Sequence, residues 1–470
     1  MPKLSPGGYP LTSALLRKIE ALLEVQGKTW RDLGICPRTW RRWKSPKTLE
    51  LHNLGCPHLI RPGLFAQLAE RLGVSLDDLC RAGFDDFREL ERVTAAVDAD
   101  VMELTRSLVD LPFERVEEAY RNHVTACLLR HNLTVNSFLR LLEALVCEGQ
   151  IDKTIPPADL QIRVSSGFER IEFESSSGTL VCVDRPLLMW DCHCGTPTAR
   201  TPSSRCPIHR WKERGDEIAA LFSKGLVRIT WEGLTIWWRN TDYLWPPSVD
   251  TFRMLRLLEK DRVFNRPYDR ILDLGSGTGI MGIYAGSRIG RSVEIELADW
   301  LLTPALYGMV NFVVNREMFS NARVKARIGM MNHWLGAQES RGGGTCLVLC
   351  NPPYLPILSG FEAVGSHCVV ASTDLMLDLI SHPAGYGDQI FVQYSDASAP
   401  EAQRAARQAG ARLRRVGTDS LVPFRVVSAW KHSGYLGALV KHGRINIVPR
   451  HRHPYWHRLR LRKVEPRTKE

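Results

Sequence analysis

Apolar residues recur at helical spacing through roughly the first 150 positions, then change to the alternating and continuous runs expected of strands. The segment Leu11–Val25 places Leu15, Ile19, Leu22 and Leu23 on one helical face. Thr29 and Asp32 have the spacing of a variant capping box, which predicts a second helix. A third is predicted over Pro37–Lys44, with Trp40 and Trp43 three positions apart on one side, leaving Arg38, Arg41, Arg42 and Lys44 to project elsewhere. Leu64–Leu72 stops at Gly73, and Ser75 caps a further helix through Leu79. Helical spacing continues through Val101–Val109, Val116–Leu129 and Val135–Val146.

Short strands are expected at Ile162–Ser165, Ile171–Glu174 and Leu180–Val183, then at Val227–Thr230 and Leu234–Trp238. Arg270–Leu274 has the apolar character of a buried parallel strand. It is followed by Gly275-x-Gly277-x-Gly279 and by a helix starting near Met281. A second such strand, Val293–Ala298, ends at Asp299, 24 residues after Gly275. Thr345–Cys350 is suited to a central strand and delivers Asn351-Pro352-Pro353-Tyr354, with Asn351 lying 78 positions after Asp273. These changes of pattern divide the chain into a helical domain (1–83), a helical connector (84–160), a small α+β region (161–224), an α/β domain (225–440) and a basic tail (441–470).

At 470 residues and 44% hydrophobic, the chain can bury about three ordinary cores. No apolar run approaches the roughly 18 to 20 residues needed to span a bilayer, and the N-terminus lacks the pattern of a secretory signal. A cytoplasmic protein without a membrane partner is therefore expected. Twelve cysteines in such a length are too dilute for a disulfide scaffold. The net charge is +11, and residues 441–470 hold ten Lys/Arg against Glu465 and Glu470, before four histidines are counted. That concentration suits a polyanionic partner, although basic ends also serve solubility.

The glycine run lets the backbone turn tightly and approach a nucleotide-like ligand without intervening side chains. Asp299 is placed to accept the two hydroxyls of a ribose, and the absence of a phosphate-binding lysine after the glycines disfavours a nucleoside triphosphate. A dinucleotide enzyme uses the same strand-glycine-helix geometry and stays open on this motif alone. The downstream loop suits a planar amino group, whose delocalised lone pair makes it a poor nucleophile. The Asn351 amide oxygen and the Pro352 carbonyl would accept its two hydrogens and Tyr354 would stack on its plane, while Pro353 helps stiffen the loop. Both loops are expected side by side at the carboxyl edge of one sheet. Separately, Cys192, Cys194, Cys206 and His209, with His193 as a substitute, could supply the four ligands of a structural zinc.

Two resemblances follow from these residues. The order of helices ending in Leu68-Ala69-Glu70-Arg71-Leu72-Gly73-Val74-Ser75-Leu76-Asp77-Asp78-Leu79 resembles the lambda-repressor-like helix-turn-helix domains over about 70 residues. In that family the third helix enters the major groove, which makes Arg38, Thr39, Arg41, Arg42 and Lys44 the candidate DNA contacts. From Leu234 to Val427 the chain resembles the class I methyltransferases with an Asn-Pro-Pro-Tyr motif, which include the HemK-like protein-glutamine enzymes and amino-directed DNA and RNA methyltransferases. Pro247-x-x-Asp250-Thr251-Phe252 looks like the approach segment of the HemK-like branch, and Ala305–Asn311 like the family's helix after the second strand.

This second resemblance implies a Rossmann-like α/β fold and S-adenosylmethionine as cofactor. Asp273, Gly275, Gly277, Gly279 and Asp299 would hold that cofactor. Asn351, Pro352, Pro353 and Tyr354 would form the acceptor loop. Where the family usually places an acidic residue against the adenine amino group, this chain has Ile328-Gly329-Met330-Met331-Asn332-His333, so Asn332 is the candidate. The expected activity is methyl transfer to an exocyclic amino nitrogen, adenine in DNA before RNA. Alternatives are a protein-glutamine acceptor, or a DNA-binding regulator that keeps an inactive methyltransferase fold.

Overall fold

A computed structural model describes residues 9–10, 13–45, 59–74, 87–107, 113–130, 138–139, 142, 155–184, 212–241, 243–290, 292–319, 322–328, 345–356, 358–361, 373–383, 388–424, 433–448 and 454–466. The chain divides into two compact units, Met1–Ile155 and Pro156–Glu470. No helix among the described residues is long and apolar enough to cross a membrane.

The first unit has a two-residue antiparallel bridge, β1 (Tyr9–Pro10) with β2 (Leu59–Ile60), and the helices α1 (Ser13–Val25), α2 (Pro37–Trp43) and α3 (Pro62–Leu72). Leu15, Ile19 and Leu23 from α1, Trp40 and Trp43 from α2, and Phe65, Leu68 and Leu72 from α3 close into one core. The helix expected after Thr29 is replaced by turns. Asp32 Oδ2 accepts from the Thr29 backbone N–H at 2.6 Å and from Thr29 Oγ1 at 2.9 Å, so the capping bonds form, but Gly34 at φ 68° soon ends the segment. Helix α3 stops as expected, at Gly73 with φ 65°. The helix expected from Ser75 lies outside the described residues. The helices α4 (Phe87–Ser107) and α5 (Phe113–Arg130) belong to the same unit.

The second unit opens with β3 (Leu160–Val164), β4 (Arg170–Ser175), β5 (Leu180–Asp184), α6 (Lys212–Lys224), β6 (Leu226–Trp231) and β7 (Leu234–Arg239). These strands make one sheet in the order β5-β4-β3-β6-β7, with β3 and β6 parallel. A boundary drawn at residue 224 therefore cuts through a single sheet. Such a parallel crossover joins strands far apart in the chain, which local spacing does not reveal.

The larger sheet carries α7 (Val249–Lys260), β8 (Arg270–Leu274), α8 (Ile280–Ile289), β9 (Val293–Asp299), α9 (Leu302–Val314), β10 (Ala322–Ile328), β11 (Cys346–Cys350), α10 (Asp374–Ser381), β12 (Gln389–Ser395), α11 (Ala399–Gln408), β13 (Ala411–Arg415), β14 (Ser420–Pro423), α12 (Ser433–Lys441), β15 (Asn446–Ile447) and β16 (Tyr455–Pro466). Its order is β10-β9-β8-β11-β12-β16-β13, parallel through β12, with β14 and β15 also on β16. Strand β11 is buried throughout, as a central strand must be. Met376, Leu379 and Ile380 of α10 and Ala402, Ala405 and Ala406 of α11 pack on β8, β11 and β12.

The basic tail is corrected by β16. Tyr455–Pro466 is an antiparallel strand held between β12 and β13. Several charges counted toward a polyanion are spent inside the fold: Arg462 makes a two-pronged contact with Asp419 at 2.8 and 3.0 Å, Lys463 pairs with Glu465 at 2.8 Å, and Arg444 with Glu401 at 2.7 Å. The sheet pattern is doubly wound and Rossmann-like, with strand order reversing between β8 and β11.

Candidate active site

Reversal of strand order leaves a crevice beyond the carboxyl ends of β8 and β11, because their onward connections leave in opposite directions. Leu274 is the register partner of Cys350, so Gly275 and Asn351 are the next residues out on adjacent strands. The two loops singled out in the sequence therefore leave the same rim side by side.

The glycine loop is fixed by its own backbone. Gly275, Gly277 and Gly279 have φ of 66°, 52° and 74°, the left-handed region that disfavours side chains. A Cβ on Gly279 would meet Leu297 at 3.0 Å and Gly308 at 3.1 Å, so this glycine serves packing of α8 against the sheet. A Cβ on Gly277 would meet nothing within 4 Å, so this position faces open space. Asp299 Oδ2 accepts from the Gly277 N–H at 3.0 Å, and its Oδ1 accepts from the Trp300 and Leu301 N–H groups at 2.9 and 3.4 Å. Burial pushes the Asp299 carboxyl up to about 6, against the pull of these bonds.

Asp273 is fully buried below the loop. Its Oδ2 accepts from the Gly282 N–H at 2.8 Å, while its Oδ1 and the buried Ser276 Oγ have no hydrogen-bond partner among the described residues. Burial, with the Asp299 charge adding to it, pushes Asp273 up to about 8. Open space at Gly277, unpartnered buried oxygens on Asp273 and Ser276 and the Asp299 carboxyl at the end of β9 are groups that could hold a ligand with a sugar and a cationic polar end.

The acceptor loop is clamped from α7, whose first turn carries Asp250 and Thr251. Asn351 Nδ2 donates to Thr251 Oγ1 at 3.1 Å and to Asp250 Oδ2 at 3.4 Å, and the Tyr354 hydroxyl donates to the same carboxylate oxygen at 3.2 Å. From β12, Gln393 Nε2 donates to the Asp250 carbonyl at 2.8 Å and to Asn351 Oδ1 at 3.3 Å. The amide of Asn351 is thus oriented from both sides, and its oxygen keeps one lone pair for another donor. Burial raises the Asp250 carboxyl and, more strongly, the Tyr354 hydroxyl. The Tyr354 ring centroid lies 5.9 Å from that of His457 of β16, which stacks on Phe424 at 4.1 Å.

Residue type and spacing alone do not mark Asp250, Thr251 and Gln393 as site residues. The first two stood in the quoted approach segment, and only the fold shows what they hold. Gln393 lies in an apolar strand, where a lone buried amide was the available signal. Asn332 and the cluster Cys192, His193, Cys194, Cys206 and His209 lie outside the described residues.

In the first unit, Arg38, Arg41 and Arg42 are exposed on α2, opposite the buried Trp40 and Trp43. Thr39 is half-buried and its Oγ1 lies 3.1 Å from Cys36 Sγ, at the start of the helix. Lys44 pairs with Glu20 at 2.7 Å. Three arginines therefore present the charge of this helix, with Thr39 and Lys44 engaged inside the unit.

No protein-family model matches the sequence, and no curated protein does. Among solved structures, the chain is similar to a Pyrococcus abyssi tRNA (uracil-54, C5)-methyltransferase in complex with S-adenosyl-L-homocysteine, at 16% identity and a TM-score of 0.29, covering 51% of this chain and 43% of that one. It is also similar to M. jannaschii TYW2 in complex with AdoMet, at 13% identity and a TM-score of 0.28, covering 51% and 86%. Overlaps of this size carry no statement about substrate.

Proposed function

We propose that this chain is an S-adenosylmethionine-dependent methyltransferase that acts on an amino nitrogen of a nucleic-acid base, adenine in DNA first and RNA second. The observation that carries the reading is the pairing of Leu274 with Cys350, from which the glycine loop and the Asn351 loop emerge together. Asp273, Ser276, the Gly275–Gly279 loop and Asp299 would hold the cofactor. When bound, S-adenosylmethionine supplies a methyl group on a cationic sulfur. The residues of this chain do the positioning. Asn351 Oδ1 and the Pro352 carbonyl accept from the amino group and point its lone pair, while Gln393, Thr251 and Asp250 keep the Asn351 amide from rotating. Tyr354, tied to Asp250, offers its ring to the planar acceptor.

A base in a duplex would have to leave its stack to reach that loop. The exposed Arg38, Arg41 and Arg42 of α2 support a nucleic-acid acceptor, as phosphate or base contacts of a helix-turn-helix-like unit. A structural zinc on Cys192, Cys194, Cys206 and His209 belongs to the same reading.

One observation favours a second acceptor. Asp250 and Thr251, which secure Asn351 and Tyr354, belong to the segment that looks HemK-like, and a protein glutamine presents the same planar NH₂. Incubation with tritiated S-adenosylmethionine and separate DNA, RNA and protein pools decides between them. Label in nucleic acid is expected, and label in protein alone would overturn the base reading. Asn351→Ala should abolish transfer while cofactor binding persists.

A further inference from the structure

The helices α4 and α5, which supply none of the residues assigned to the proposed reaction, hold a cluster with metal-ligand chemistry. Asp100 lies on α4, and His123 and Cys127 lie one turn apart on α5. One ligand atom from each of the three is within 4.8 Å of the others. Cys127 is buried, and its Sγ donates to Asp100 Oδ2 at 3.5 Å. His123 Nε2 is buried with no hydrogen-bond partner among the described residues. A buried ring nitrogen without a partner is costly, so the retention of His123 beside a thiol and a carboxylate asks for an explanation.

We propose that Asp100, His123 and Cys127 bind a zinc ion that ties α4 to α5. The donor set is one thiolate, one imidazole and one carboxylate. Zinc takes all three types in tetrahedral geometry, whereas calcium and magnesium require oxygen ligands. Binding forms the sulfur–zinc bond as the Cys127 thiol gives its proton to solvent, and the neutral imidazole offers its lone pair. Three protein ligands leave the fourth position to water. None of its three ligands is shared with the Cys192–His209 cluster or with the residues assigned to methyl transfer.

The test is the zinc content of the full chain, loaded with zinc, desalted and measured by elemental mass spectrometry, with circular dichroism as the check on folding. Cys127→Ser, Asp100→Asn and His123→Gln should each lose about one zinc per chain relative to wild type. Cys206→Ser should leave that equivalent in place. Asp100→Asn and His123→Gln are close in shape to the parent residues at half-buried positions, so they decide the matter even where Cys127→Ser does not fold. Unchanged zinc content in both, including none in any form of the protein, overturns the proposal.

Discussion

Asn311 acts as a strand partner for Trp237: its Oδ1 accepts from the Trp237 N–H at 2.7 Å, and its Nδ2 donates to the Trp237 carbonyl at 3.1 Å. The same Nδ2 donates to the Thr278 carbonyl at 3.0 Å, so one amide on α9 closes the free edge of β7 and holds the glycine loop. Asn315, one turn on, repeats the pairing with Thr235 at 2.8 and 2.7 Å. Asn311→Ala strips three buried backbone groups of their partner. A loss of about 2–4 kcal/mol is expected in denaturant unfolding, together with weaker cofactor binding. A variant within about 0.5 kcal/mol of wild type would show that the edge does not depend on this amide.

Gly277→Ala separates the cofactor reading from a purely structural one. The backbone there is left-handed, which costs an alanine about 1 kcal/mol, and the added methyl meets no protein atom within 4 Å. Stability should fall by only that amount. If the open space is the cofactor's, isothermal titration with S-adenosylmethionine should show binding at least about tenfold weaker, equivalent to about 1.4 kcal/mol. Wild-type affinity in a folded Gly277→Ala protein would place the ligand elsewhere.

Local signals account for most of what the sequence disclosed. Three glycines in a short run after an apolar strand state a backbone requirement, and prolines after Asn351 state another, so both loops could be found without a fold. What holds them could not. Gln393 reaches Asn351 from 42 positions away and Asp250 from 101, distances that only sheet order closes. The basic end hides its strand for a different reason. Leu459 and Leu461, both buried, alternate with Arg458 and Arg460, which is strand spacing, but the charge of the segment outweighed its period. Asn311 lies in the apolar helix α9 and Asn315 caps it four positions on, and buried asparagines at that spacing ask for backbone partners.

Gln393→Ala tests whether the Asn351 amide must be held to work. Its removal leaves Asn351 Oδ1 and the Asp250 carbonyl without their donor. Methyl transfer should fall about 10- to 100-fold with cofactor affinity unchanged, because the glycine loop is untouched. An equal loss in cofactor affinity would show that the two loops are not independent.

Asp273 carries a stability cost that depends on pH. In the unfolded chain it ionises near its ordinary value of 3.8, and in the fold burial holds it protonated up to about 8. Between those values the folded state binds the extra proton, so stability falls as pH rises and the loss is complete above about 8. Asp273→Asn, whose amide oxygen can still accept from Gly282, should match wild type near pH 3.5 and gain over it as pH rises to neutrality, at up to about 1.4 kcal/mol per pH unit. Thermal melts across that range check it, and a constant difference would refute the burial argument.

His457 has the opposite dependence. Burial lowers its imidazole from 6.5 to about 3, and its Nδ1 lies 2.9 Å from Ser395 Oγ, so the ring stays neutral in the fold. The unfolded chain takes up a proton near 6.5, and from there down to about 3 it binds more than the folded chain. The stability that His457 contributes is therefore whole above 6.5 and is lost as pH falls, at up to about 1.4 kcal/mol per pH unit. His457→Phe keeps a ring against Phe424 but gives up the Ser395 bond, so it should be about 1 kcal/mol weaker at pH 7.5. Below about pH 6 the order should reverse, because the variant has no proton to exclude. Parallel stability curves for the two proteins would mean that His457 is already charged, or already solvated, in the folded chain.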